Sequence, residues 1–414
     1  MVNIKISEKM FKVISLICLL GAIGYSLGYQ VLWLLYKEPA MLGWMFDDFH
    51  FFYYAFHTIW NDNAISMMYD LDHQMETFRQ LYGETKGALG YYMYPPQFAV
   101  FLSWLAAFPY EKARLLWTMF NSILFILGVC FVIQAAYKGR AKGVKYLLFS
   151  AAIIIYPVFA DFYWGQSNRL IFFLVCLTYY FYQSKHKWLA GIPIVFATSF
   201  KLLPGIFLVY FLYKKEWKVF LSAVITTIIT SGITIAIVGW NVAWEYVTND
   251  LFVVNGINEM HGGAPWDSSF KGVLKTYFPH DSMSITHLVY VVILLAITFL
   301  VIRKCKKDSS LEFVLVTALM LLFSPVVEVH YLVLMIIVIV CVLSHIFNNS
   351  LIEEFVDGNI MYNISLDAKS VWHLVVTAVS INILMDSPEG MSYFIAMLFL
   401  FYVLLGRYYI QNKK

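Results

Sequence analysis

The chain has 414 residues, 61% hydrophobic and only 13% charged, with a net charge of +3 at neutral pH. A soluble domain carries about 25% charged residues, so an ordinary soluble protein is excluded. The apolar runs come in blocks of about 20 residues, the length a helix needs to cross hydrocarbon, and not in the alternating strands of ~10 residues that a β-barrel requires. The sequence therefore predicts an all-α polytopic membrane protein, one integral membrane domain over residues 1–414.

Lys5, Lys9 and Lys12 precede the first apolar run, about 13–35. The start resembles the basic region of a signal peptide, but the run is long and lacks a clear cleavage site, so a retained first helix is expected. Positive residues stay cytoplasmic, which puts the N-terminus inside and the next loop outside. That loop, 36–112, is the longest early polar stretch. Between 47 and 96 it carries Asp47, Asp48, Asp62, Asp70, Asp72, Glu76 and Glu84 against Arg79 and Lys86, with aromatic residues throughout. Rings laced among polar groups suit a segment lying at headgroup level. Within it, 98–108 is apolar but short and bounded by Pro95-Pro96 and Pro109, and reads as a re-entrant or surface helix.

Basic loops at 138–145, 185–187, 214–218 and 303–307, with the Lys413-Lys414 end, set the parity. Spans are expected at 114–136, 145–161, 168–183, 188–200, 202–213, 217–238, 287–302, 311–325, 331–347, 371–387 and 391–408. With the first run these make about 12 transmembrane helices, both termini inside. Three further outer regions then converge on the first loop: the turn at 161–169, the second outer loop at 239–286 and the turn at 324–331. The segment 348–370 is acidic and Asn-rich without apolar periodicity, and reads as a cytoplasmic linker. The five cysteines (18, 130, 176, 305, 341) lie in or beside apolar runs without metal-ligand spacing and read as packing residues.

Ionisable groups in or beside a membrane are costly and mark function by default. Asp47 and Asp48 are either solvated loop carboxylates or contain a general base whose basicity partial desolvation raises. His50 follows in an aromatic run, where a structural hydrogen-bonded histidine is the plainer reading. Gln166, Asn168 and Arg169 either cap a helix or meet an anion at its start. Lys201 snorkels or neutralises a lipid phosphate. Lys271 and Lys275 share a face of a short helix, solvated or ligand-bound. Glu328 and His330 stand in an apolar setting that favours function. No Walker motif, strand-linked GxGxxG, HExxH or GxSxG is present. Nothing calls for a cofactor, a metal or a nucleic-acid partner.

In order, the motifs are Asp48-Phe49-His50, Tyr69-Asp70, Tyr94-Pro95-Pro96, Gly165-Gln166-Ser167-Asn168, Lys201-Leu202-Leu203-Pro204, Ser269-Phe270-Lys271-Gly272, and Ser324-Pro325 followed by Glu328 and His330-Tyr331. This succession resembles glycosyltransferase family 87. The resemblance implies a GT-C type fold with surface helices in the first outer loop. It implies an inverting transfer of a sugar, mannose, from a polyprenyl-phosphate donor to a lipid or glycan hydroxyl on the outer leaflet of the cell membrane. Asp48, not Asp47, becomes the base. His50, Tyr94, Gln166, Asn168, Arg169, Lys201, Lys271, Glu328 and His330 become donor-phosphate and substrate contacts. Two positions depart from the family pattern: Glu328 stands two residues before the histidine, and Asp267 two before Ser269. The competing class is a transporter or flippase of a lipid-linked saccharide. The clustering of acids on one outer loop, and the lack of a visible repeat, weigh against it.

Overall fold

The structure is a computed structural model describing residues 2–36, 47–60, 64–83, 92–251, 267–278, 283–304, 309–386 and 390–411. Asp62, Glu84, Lys86, Cys305, the basic residues 306–307 and Lys413-Lys414 lie outside the described residues, as does the side chain of Asp47.

Strand β1 (Val2–Ser7) runs directly into helix α1 (Glu8–Tyr36). The first outer loop folds as α2 (Asp47–Trp60), α3 (Leu71–Tyr82) and α4 (Pro96–Leu102). Asp70 caps α3 by accepting from the His73 amide at 2.7 Å, and Pro96 opens α4, where its missing N–H is no loss. A 3-10 turn, Ser103–Ala107, extends α4, and the 98–108 stretch packs beneath α2, with the Phe52 and Phe98 rings 4.9 Å apart.

The body follows as α5 (Tyr110–Ala136), α6 (Lys142–Ile153), α7 (Tyr156–Trp164), α8 (Asn168–Tyr182), α9 (Gly191–Phe200), α10 (Ile206–Tyr213) and α11 (Trp217–Val238). Short α12 (Trp240–Glu245) and α13 (Phe270–Tyr277) belong to the second loop. Then come α14 (Ser284–Lys304), α15 (Ser309–Leu322) and α16 (Met335–Ser350). Strands β2 (Leu351–Val356) and β3 (Asn359–Leu366) precede α17 (Ala368–Met385) and α18 (Gly390–Gln411).

The chain is a polytopic membrane protein, and its described residues are mostly helical, with one small sheet. All twelve expected spans are helical. Among the described residues seven helices are long and apolar enough to cross a membrane, and α6 with α7, bent by 51°, makes an eighth. The segments expected at 168–183, 188–200, 202–213 and 311–325 are helices of 10–17 residues, so length and composition alone do not establish the count of twelve.

The 348–370 segment departs from expectation. It is no irregular linker: Asp357 (φ 49°) and Gly358 (φ 77°) close a two-residue hairpin between β2 and β3. An Asp-Gly pair adopts these left-handed angles readily, and they match the twist of the strands they join. β1 pairs antiparallel with the other side of β3, giving the order β1-β3-β2.

The bundle has two chemically distinct ends. At one, Lys214 meets the fully buried Glu312 at 2.6 Å, Tyr210 and Tyr408 donate to the same carboxylate at 3.2 and 2.7 Å, and Lys187 meets Glu216 at 3.3 Å. The Lys138 amide donates to Asn348, which lies just before β2 in the chain. The described basic loops therefore gather at one end. Helices α8, α15 and α16 carry the chain to the other, where the turns at 161–169 and 324–331 lie.

Candidate active site

The site begins with a turn. Gly165 takes the left-handed conformation (φ 68°) that ends α7 and allows α8 to start three residues later. Three anchors fix this turn. Fully buried Asp161 accepts from the Asn168 amide at 2.9 Å and from Arg169 Nε at 2.8 Å. Arg169 Nη1 donates onward to Ser122 at 3.0 Å. Trp117 Nε1 donates to the Gly165 carbonyl at 2.8 Å.

So held, Gln166 points its side chain at α2. Its Nε2 donates to Asp48 Oδ2 at 2.8 Å, and its Oε1 accepts from the Tyr94 hydroxyl at 3.0 Å. A carboxylate only accepts, which fixes which way the amide faces. Burial first, and the Asp48 charge second, push the Tyr94 hydroxyl far above its ordinary pKa, so it stays a donor. Tyr94 itself is positioned by Tyr69, which donates to its carbonyl at 2.9 Å, and by an edge contact to Phe52 and a tilted contact to Phe98, both at 4.9 Å.

Lys201 stands where α9 stops and the chain becomes extended (φ −152°, ψ 118°) before the turn at Leu203–Gly205. Its ammonium donates to Asn168 Oδ1 at 2.9 Å and lies 3.4 Å from the centroid of the Tyr331 ring, close enough for a strong cation–π contact. Tyr331 brings in the 324–331 turn. There His330 Nε2 and Glu328 Oε2 approach to 3.3 Å, off the donor axis: both His330 ring nitrogens, 1% exposed as a residue, lack a hydrogen-bond partner among the described residues.

The second outer loop is stitched to this turn. The Ser268 amide donates to the Val327 carbonyl at 2.7 Å, the Val327 amide to Asp267 Oδ1 at 3.0 Å, and Ser269 Oγ to the Pro325 carbonyl at 2.9 Å. Ser269 also caps α13, accepting from the Gly272 amide at 2.9 Å. A Cβ at Gly272 would run into the Asp267 carboxyl, so the glycine is a packing requirement. Burial raises the Asp267 pKa, opposed by the Val327 and Ser269 amides. Lys271 is buried on α13.

The structure thus links Asp48, Tyr94, Gln166, Asn168 and Lys201 in one continuous network, with Glu328 and His330 beside it and Lys271 on the loop stitched to it. Two of the expected contacts have their described side-chain partners elsewhere. His50 is two residues from Asp48, about 200° around a helix. Its ring stacks on Tyr110 at 4.8 Å and meets Tyr82 edge-on at 4.5 Å, in an aromatic box. Arg169 is engaged by Asp161 and Ser122. Sequence reasoning missed Asp161 and Tyr331. Asp161 was visible only as a lone acid in an apolar run eight residues before an arginine, and Tyr331 only as the neighbour of His330. Among the described residues no three His, Cys, Asp or Glu side chains stand together as a metal-binding group.

A multi-span helical membrane protein with a carboxylate, an amide relay and an ammonium meeting in the turns at a bundle end is a membrane-embedded enzyme in outline. The chain belongs to glycosyltransferase family 87, whose model matches residues 92–325. Tyr94, Gln166, Asn168, Lys201 and Lys271 fall inside that match; Asp48, Glu328 and His330 fall outside it. The chain is 24% identical over 173 residues, 39% of its length and 40% of the relative's, to a polyprenol-phosphate-mannose-dependent alpha-(1-2)-phosphatidylinositol mannoside mannosyltransferase of Mycobacterium tuberculosis. It is 24% identical over 193 residues, 46% of its length and 45% of the relative's, to a polyprenol-phosphate-mannose-dependent alpha-(1-2)-phosphatidylinositol pentamannoside mannosyltransferase of Mycolicibacterium smegmatis. The matched segment spans less than half the length of these curated relatives. No solved structure matches the chain.

Proposed function

We propose that this protein is an inverting glycosyltransferase of GT-C type that moves a sugar, mannose, from a polyprenyl phosphate to a lipid-linked or glycan hydroxyl on the outer leaflet. The observation that carries the reading is the network itself. It sets a carboxylate, Asp48, and an ammonium, Lys201, on two sides of the Gln166–Asn168 turn. Family membership and the substrates named for the relatives agree with it.

In this reaction the acceptor oxygen attacks the anomeric carbon and its proton passes to Asp48. The bond from that carbon to the donor's phosphate oxygen breaks, and the polyprenyl phosphate leaves with the bonding pair. Inversion follows from the single displacement. Lys201 neutralises the growing charge on the phosphate. The Asn168 side-chain amide and the His330 ring, both buried with nitrogens lacking a hydrogen-bond partner among the described residues, supply hydrogen-bonding groups for its oxygens. Such orphaned polar atoms are costly unless a ligand completes them. Lys271 joins from the second loop. Gln166 orients Asp48, Tyr94 orients Gln166, and Glu328 holds the His330 side of the site.

The test is transfer by the purified chain in nanodiscs, with synthetic mannosyl-phosphoryl-polyprenol and an extract of native lipids as acceptor. Formation of a mannosylated lipid together with free polyprenyl phosphate supports the proposal. Intact donor moved between leaflets without cleavage would sink it and favour a flippase.

A further inference from the structure

The three-stranded sheet plays no part in the site and sits at the basic end of the bundle. β1 enters α1, α16 enters β2, and β3 enters α17, each with at most one residue between elements. The sheet therefore lies where three helices end, with no linker to carry it away. Antiparallel partners point to the same face, so the register sorts the side chains. Tyr362 and Ile364 of β3 face the helices: both are buried, and Tyr362 meets Phe11 of α1 edge-on at 5.6 Å. Ile4 pairs with Ile364, Val2 with Leu366 and Phe355 with Ile360, which places all of these on that same face.

That face is wider than the helices beneath it. Val2 is 45% exposed, Ile4 46%, Ile360 38% and Phe355 77%. The opposite face is mainly polar, with Lys5, Glu354 and Asn363 joined by contacts of 3.4 and 3.1 Å. Ile352 and Val356, on the edge strand, and Met361 of β3 are its apolar exceptions, and Glu353 is the acid on the helix-side face. Exposed Lys9 and Lys12 of α1 and Lys142 and Lys145 of α6 stand beside the sheet. Phe11, between the first two, packs on Gly143.

We propose that the sheet is an interfacial anchor: its overhanging face rests in the headgroup–acyl boundary of an anionic leaflet, with Val2, Ile4, Phe355 and Ile360 inserted and the lysines on lipid phosphates. The occupant follows from direction. An apolar face turned toward the side on which three helices enter the membrane meets lipid before it meets solvent. An apolar surface beside lysines is what anionic bilayers bind, with the apolar side chains ~5–10 Å below the headgroups.

The experiment uses the full chain with Cys18, Cys130 and Cys305 replaced by alanine, carrying either Phe355→Cys, Ile360→Cys or Met361→Cys labelled with bimane. It is placed in nanodiscs of phosphatidylethanolamine and phosphatidylglycerol containing doxyl-lipid quencher. Labels at 355 and 360 should be quenched about threefold more than the label at 361, as expected for a ~5–10 Å insertion. In parallel, amide exchange of β1 and β2 in the unaltered protein should slow when phosphatidylglycerol replaces phosphatidylcholine. Equal quenching on both faces overturns the proposal. So does a label at 355 shielded from aqueous iodide yet unquenched by lipid, which would mean a protein covers the face, and so does exchange indifferent to lipid charge. None of these readouts depends on glycosyl transfer.

Discussion

Replacing Asp48 by asparagine isolates the proton-accepting oxygen. Gln166 cannot turn its amide, because its Oε1 is occupied by the Tyr94 hydroxyl at 3.0 Å, so its Nε2 keeps facing residue 48. The introduced asparagine answers by presenting its own carbonyl to that donor, which preserves the 2.8 Å contact and puts an NH2 where the other carboxylate oxygen was. Shape and the Gln166 contact survive, so the melting temperature should stay near that of the parent. What disappears is the base. General base catalysis supplies about 10²–10⁴-fold, which at ~1.4 kcal/mol per decade is about 3–5 kcal/mol of transition-state stabilisation. Sugar transfer in nanodiscs is the assay, with polyprenyl phosphate binding measured beside it. Transfer should fall by that factor while the phosphate binds within about twofold of the parent, well under the ~1.4 kcal/mol that a decade represents. Parental transfer rates in Asp48→Asn would refute the assignment. A collapse of phosphate binding would show instead that residue 48 holds the site together. Asp47→Asn should be mild; if it alone were inactive, the base would be one position earlier.

Lys201→Met should weaken polyprenyl phosphate binding by roughly 10–100-fold, the range of a charge-assisted hydrogen bond of ~1.5–3 kcal/mol, read by titration, with Lys201→Arg recovering part of it. Asp161→Asn should destabilise the fold by about 3–5 kcal/mol, because it strands a buried guanidinium. The double variant Asp161→Leu/Arg169→Met should melt closer to the parent, and the single variant melting at parental temperature would contradict the pinned-turn account. Burial first, and neighbouring Glu245 second, push Asp250 up to about 6 from 3.8. The folded state therefore favours its protonated form: this contribution to stability is full below 3.8 and is lost as pH rises through about 6. Asp250→Asn should flatten the melting profile across that window, and an unchanged slope would count against the shift.

The helices were legible because apolar length and basic loops report directly on a bilayer. The hairpin was legible too: Asp357-Gly358 is a strong turn signal, but the surrounding acids and asparagines drew the reading toward a linker. Its pairing with β1 was not, since the alternation of Val2, Ile4 and Ile6 marks a strand without naming a partner. In the site, Gln166, Asn168 and Lys201 carried their positions in short motifs. Arg169 reads two ways in the sequence, because a guanidinium at a helix start suits an anion equally well whether the anion is a ligand or a carboxylate of the same chain. Only the left-handed turn at Gly165 brings Asp161 round to claim it. The sequence does not tell which way His50 faces: two residues on a helix turn a side chain by about 200°.

The Lys5–Glu354 contact closes a span of 349 residues, and that separation has a consequence for biogenesis. Translation at ~5–20 residues per second makes β1 about 20–70 s before its partner. Throughout that interval the strand waits with both edges open, beside every hydrophobic segment still emerging. Lys5 at its centre is the kind of charge that discourages pairing with a stranger. Pairing with the later-made β3 then fastens β1, and a chain stopped before β3 would leave β1 without its partner strand at the start of α1.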